Sequence, residues 1–358
     1  MKKNLIIIII FGVFGISCNT KNKSNSIVES TSTDSTQYFA DTIGNILLDR
    51  VISERVVSDL LSIGQNKDTV TILNKLLSEV DKKTKISSNK KYQIFDLIYE
   101  DLDGNRKKEI LLHFGEMRFF TKVIVLKKLQ NKWNCIFNEE FGHQYSGVVL
   151  KTLEVPDGQK IFYLNHLEER GSGIHKTAIY FFRIVQEEVI PALRILSTAY
   201  VNGWGLFINQ EVNGEFKYNS DKDEIRVIYS YSFYPGPINK EDVSWESHPE
   251  VELFEGVQEL IYKWDNLNKE YNPKDIDDRI KSKVKMFDDF GNDSLFIIAF
   301  ESELSKLTKS EDPVKAKIVL DYFNKVRIES KVRTHNLQIT KKQTEGNGLN
   351  FYGNEGSK

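Results

Sequence analysis

The 358-residue chain is 40% hydrophobic and carries a net charge of −2 with no basic block, which argues against a nucleic-acid-binding role. With only two cysteines, Cys18 and Cys135, it has no disulfide framework to lean on, so its core must be large enough to hold itself together.

The chain begins "MKKNLIIIIIFGVFGISCNTKNKS": two lysines, an apolar run from Leu5 to Ile16, then Ser17-Cys18. This is the pattern of a secretory signal, because a spanning helix needs about 20 apolar residues and this run stops short of that. Residues 1–17 are therefore expected to be a signal peptide. The small residue before Cys18 resembles the lipobox of bacterial lipoproteins, used widely by Gram-negative bacteria and especially the Bacteroidota. The resemblance implies that Cys18 is acylated and becomes the first residue of the mature chain. Buried acyl carbons, at about 0.8 kcal/mol each, then form a membrane anchor. Lys21 and Lys23 stand where surface-exported lipoproteins often carry acidic residues, so the expected location is the outer membrane, facing the periplasm.

Residues 18–37 are rich in Ser, Thr and Asn and poor in apolar surface, as a flexible tether of roughly 25 Å would be. Residues 38–90 read as a helical hairpin. Ile43, Leu47, Val51, Val56, Val57, Leu60 and Ile63 recur near helical spacing, Gly64 is a stop signal, and Asp68 is an N-cap for a second helix carrying Ile72, Leu73, Leu76, Leu77 and Val80. From 91 to 272 the texture changes to short runs such as "EILLHF", "KVIVLKK", "TAIYFFRIV" and "EIRVIYSYSFY", separated by turns at Asn131 and "PDGQK", so this stretch is expected to be one antiparallel β-rich domain. Residues 273–333 read as helices over Ile276–Phe287, Ser294–Leu307 and Pro313–Ile328, and 334–358 as a disordered tail. The expected fold class is α+β, β-rich, with helical flanks.

The most informative stretch is Asp101-Leu102-Asp103-Gly104-Asn105-Arg106-Lys107-Lys108-Glu109. Oxygen side chains at positions 1, 3, 5 and 9, with glycine at 4, converge on one hard cation if the loop curls, and Lys107 at position 7 would add its backbone carbonyl. It is not an EF-hand, since Arg106 and Leu112 occupy the positions of that motif's glycine and bidentate glutamate. From Tyr92 to Trp133, a strand, this loop and the strands "EILLHF" and "KVIVLKK" resemble one calcium-loop unit of FG-GAP and VCBS repeats. The resemblance implies a structural calcium held by Asp101, Asp103, Asn105, Lys107 and Glu109, and a partial, propeller-like sheet.

Other features carry less chemistry. His166, Glu168, Glu169 and His175 match no zinc-motif spacing, and the chain contains no G-x-S-x-G elbow. Cys135, between Trp133 and Phe137, reads as a buried small hydrophobe. Tyr229, Tyr231 and Phe233 share one strand face and read as core. Trp204 and Trp245, in loops, are the candidate contacts for a protein or glycan partner. The expected function is a lipid-anchored, non-enzymatic binding or scaffold lipoprotein of the cell envelope. The alternatives are an envelope hydrolase of glycans or peptides using Glu168 and Glu169, and a toxin-neutralising lipoprotein.

Overall fold

The computed structural model describes residues 51–63, 68–80, 92–116, 120–141, 150–171, 173–202, 208–236 and 251–327. The signal segment, Cys18, the tether, Trp204, Trp245 and the tail lie outside the described residues.

Strand β1 (Val51–Ile52) leads into helices α1 (Glu54–Leu61) and α2 (Thr69–Val80). Then come β2 (Gln93–Glu100), β3 (Glu109–Glu116), β4 (Phe120–Leu129), β5 (Lys132–Phe141), β6 (Lys151–Glu154), β7 (Lys160–Gly171), β8 (Ile174–Val185) and β9 (Glu188–Val201). The strands continue with β10 (Ile208–Asn219), β11 (Glu224–Pro235), β12 (Phe254–Asp265) and β13 (Glu270–Pro273). Helices α3 (Asp278–Asp288), α4 (Asp293–Ala299), α5 (Glu301–Leu307) and α6, over residues 313–327, follow. The β-rich, antiparallel α+β class with helical flanks is thus observed.

The strands form two antiparallel sheets, one five-stranded in the order β1-β5-β4-β3-β2 and one eight-stranded running β13-β12-β11-β10-β9-β8-β7-β6. Several connections are tight two-residue turns. Gln130 and Asn131 join β4 to β5 with left-handed backbone, and Gln186 and Glu187 do the same between β8 and β9. Such turns match the twist of the flanking strands, which sets their register.

The layers run helix pair, five-stranded sheet, eight-stranded sheet, C-terminal helices. Ile110, Leu112 and Phe114 of β3 pack with Val57, Leu60, Leu73 and Leu76 of α1 and α2. Their neighbour Leu111 turns to the other face, where Val123, Val125 and Phe137 meet Phe162, Tyr180 and Phe182 of β7 and β8. Ile161, Ile179 and Phe181, on the reverse of those same strands, join β9 to β12 and the helices α3 to α6. There Tyr229, Tyr231 and Phe233 are buried as expected, with Tyr231 5.1 Å from the Phe287 ring and Phe233 4.7 Å from Phe300. At Gly214 a Cβ would lie 2.2 Å from the Leu196 carbonyl, so the close crossing of β9 and β10 needs a residue without one.

The helical expectation for the first segment needs one correction. Val51 and Ile52 pair with Asn134 and Trp133 of β5, and α1 starts only at Glu54, where the Ser53 side chain accepts from Val56 N–H. The apolar spacing of Val51 with Val56 and Val57 is shared by a strand end and a helix start, and the free edge of β5 decides between them. Asp68 does cap α2, accepting from Val70 N–H at 3.1 Å and Thr71 Oγ1 at 2.5 Å. In the C-terminal region Asp312 caps α6 at Pro313, and the segment expected as one helix divides at Phe300 into α4 and α5.

Charged side chains inside this framework are paired across elements. Arg194 of β9 donates to both oxygens of Glu168 on β7 and to both oxygens of Asp288 at the end of α3, and Lys176 adds a contact to Asp288 at 3.1 Å. Removing one partner of a buried ion network leaves the others uncompensated. Arg194→Ala is therefore expected to cost about 3 kcal/mol of unfolding free energy in urea titrations, by loosening α3 from the sheet.

Candidate metal centre

The acidic loop is residues 101–108, between β2 and β3. Its shape comes from the side chains themselves. Asp101 Oδ1 accepts from Gly104 N–H at 2.8 Å, and its Oδ2 from Arg106 N–H at 2.6 Å. Asp103 Oδ1 accepts from Asn105 N–H at 3.2 Å, and Asn105 Oδ1 from Lys107 N–H at 2.7 Å. Gly104 (φ +76°) and Arg106 (φ +66°) take the left-handed backbone that the curl demands. A Cβ on Gly104 would also press at 3.3 Å on Gln159 Cγ, so glycine suits the position in conformation and in space.

Two fixings hold the loop in the body of the protein. Leu102 is fully buried in the layer between the sheets, and its carbonyl accepts from Lys160 N–H at 2.9 Å, linking the loop to the first residue of β7. Beneath it, Glu109 is 1% exposed. Its Oε2 accepts from Leu102 N–H at 2.8 Å, whereas its Oε1 is buried with no hydrogen-bond partner. An unsatisfied buried carboxylate oxygen is costly. Burial pushes the Glu109 carboxyl up to about 7; the Leu102 bond opposes this, Asp103 adds to it, Lys127 opposes it, and Asp101 adds to it.

Asp101, Asp103 and Glu109 each bring a carboxylate oxygen within 4.8 Å of the others, and they are the only such group among the described residues. Three carboxylates this close, one of them with an unpartnered oxygen, have the hard-oxygen chemistry a cation such as calcium takes. Asn105 and Lys107 lie on the exposed rim. The Asn105 side-chain amide donates to Asp103 Oδ2 at 3.0 Å, and the Lys107 N–H is the group bound to Asn105 Oδ1. Lys108 turns aside, with its ammonium 5.2 Å from the Tyr99 ring centre.

The group that sequence reasoning missed is Lys127 of β4, whose ammonium donates to Asp103 Oδ2. Period-two alternation offered a signal, since Lys127 shares a strand face with buried Val123 and Val125.

The other candidates are not brought together as a site. Glu168 is held by Arg194 and by the Tyr180 hydroxyl. Burial would raise its carboxyl, but the Arg194 bonds and charge outweigh this and hold it below its usual range, which suits an ion-pair partner better than a general acid. Glu169 pairs with Lys176 at 3.1 Å, and His175 stands opposite Arg170 in the ladder. Cys135 is buried, as expected. No protein-family model matches the chain, and no curated protein matches it.

Two outcomes follow from this geometry. Millimolar calcium should raise the melting temperature of the protein, and Asp103→Ala should remove the increment, as differential scanning fluorimetry would register. In metal-free buffer, the raised Glu109 carboxyl means that the folded state binds more protons than the unfolded one between about pH 4.5 and 7. Stability from this group is therefore present at the acid end and lost as pH rises through about 7. Urea unfolding at pH 5 and pH 8 should show a slope, on the order of 2 kcal/mol, that Glu109→Gln flattens.

Proposed function

We propose that this chain is a lipid-anchored, non-enzymatic binding or scaffold lipoprotein of the cell envelope, attached to the outer membrane through Cys18 and facing the periplasm. The observation that carries the reading is the N-terminal segment: an apolar run too short to span, ending in Ser17-Cys18, followed by a polar tether. No helix among the described residues is long and apolar enough to cross a membrane.

The acidic loop serves this reading as a structural calcium clamp. Strands β2 to β5 are a four-stranded antiparallel meander with the loop between the first two strands, which supports one FG-GAP- or VCBS-like unit and hence a partial propeller-like element. Calcium here would neutralise carboxylates at a sheet join and rigidify it. Trp204 and Trp245 are the proposed contacts for a protein or glycan partner. The engagement of Glu168 and Glu169 with cations supports a binding role over a hydrolytic one.

The test is metabolic labelling with radioactive palmitate, followed by membrane fractionation. The full chain is expected to take up label and sediment with membranes, and Cys18→Ala to lose the label and appear in the soluble fraction. An unlabelled wild-type chain would falsify the anchor. Robust hydrolysis of a glycan or peptide by the purified protein, abolished by one side-chain substitution, would overturn the non-enzymatic reading.

A further inference from the structure

Lys127 is 4% exposed, so its ammonium has to find a counter-charge inside the protein. It finds Asp103 Oδ2, an oxygen that already receives the Asn105 amide. In the β3–β4 ladder Leu126 stands opposite Ile110, which makes Lys127 and Glu109 the next residues along the two strands. The ammonium therefore lies beside the carboxylates that converge within 4.8 Å, with Asp103 in its grasp and Glu109 within its field. Glu109, itself one of these carboxylates, keeps its buried Oε1 without a hydrogen-bond partner. One ammonium faces three carboxylates and so offsets only part of their charge.

We propose that Lys127 is the built-in counter-ion of the loop, its ammonium and a divalent cation being alternative occupants of the same carboxylate cage. Lys127 thereby sets the calcium affinity of the loop and holds the loop in shape when calcium is absent. The inference rests on the calcium reading above. A cation that enters next to Asp103 has to displace a buried ammonium from its counter-charge, and that cost, with the repulsion between the two cations, subtracts from its affinity. Calcium occupancy then becomes an option for the protein rather than a condition of folding.

The experiment is calorimetric titration of the full chain with calcium chloride, in wild type, Lys127→Met and Lys127→Arg, with melting temperatures measured in chelator and in calcium. Lys127→Met should bind calcium roughly tenfold or more tightly than wild type. It should also melt lower than wild type in chelator and recover in calcium. Lys127→Arg, which keeps the charge, should retain the weak wild-type affinity. If Lys127→Met does not fold, Lys127→Gln, which can still donate to Asp103, is measured in its place with the same expected tightening. Unchanged affinity in the neutral variants, or an arginine variant as tight as the methionine one, overturns the counter-ion role while leaving the calcium reading in place. No calcium binding at millimolar concentration in any variant overturns both.

Discussion

Strand β8 from Ala178 to Ile184, with the paired start of β7 from Ile161 to Leu164, is covered on both faces, and this double burial organises the molecule. Phe162 and Phe182 stack at 5.2 Å in the layer between the two sheets, while Ile161 and Phe181, their immediate neighbours, join the core on the other face, where the Phe181 ring lies 5.0 Å from that of Phe216 in β10. Each such ring contributes roughly 2–3 kcal/mol on burial, but only if both faces are covered. The five-stranded sheet covers one side, and the core shared by strands β9 to β12 and the helices α3 to α6 covers the other. Any charged residue in these strands must carry its partner with it. Arg183, in β8, does so with Asp157, Asp223 and Gln159, its guanidinium lying 4.4 Å from the Trp264 ring centre. Networks of this kind add little net stability, yet any packing that separated the partners would leave buried charges unpaired, so they select one arrangement of strands.

The acidic loop belongs to the same economy of buried charge. It is wedged where the two sheets meet: Leu102 fills the inter-sheet layer, and Gly104 lies against Gln159 and Asp157, the residues that hold Arg183. From there Arg183 reaches Asp223, which also receives the Tyr218 and Tyr271 hydroxyls. The loop thus adjoins a chain of packed polar groups that runs to the far turns of the eight-stranded sheet. That placement favours a structural role for a cation, since what it would stiffen is the seam of the framework. It also fits the proposed work of a tethered binding protein, which gains from presenting a rigid surface.

Much of the framework was legible because local physics decided it. Asn131 lies in a tight turn, Asp68 starts a helix, Pro313 opens another under an Asp312 cap, and the glycine of the acidic loop takes positive φ. The strand runs were recognisable, but their division into two sheets was not. In "TAIYFFRIV" every residue from Ala178 to Ile184 is buried, and all but Arg183 are apolar or aromatic, so the run gives no alternation to say which neighbour lies on which side. Val51 and Ile52 suit a helix by sequence for a related reason: their apolar character fits either state, and pairing with the edge of β5 decides for strand.

At the candidate site, Asp101, Asp103 and Glu109 could be named from the sequence because their spacing is local, and a nine-residue turn brings such oxygens together wherever it is built. The proposed signal and tether rest in the same way on composition along the chain. Tertiary structure alone decided that Glu109 is buried with one oxygen unmet, and that Lys127, 24 residues beyond Asp103, supplies the opposing charge. Both depend on which strand lies beside β3 and on what covers that seam, and pairing across a sheet is an interaction between residues that the order of the chain leaves far apart.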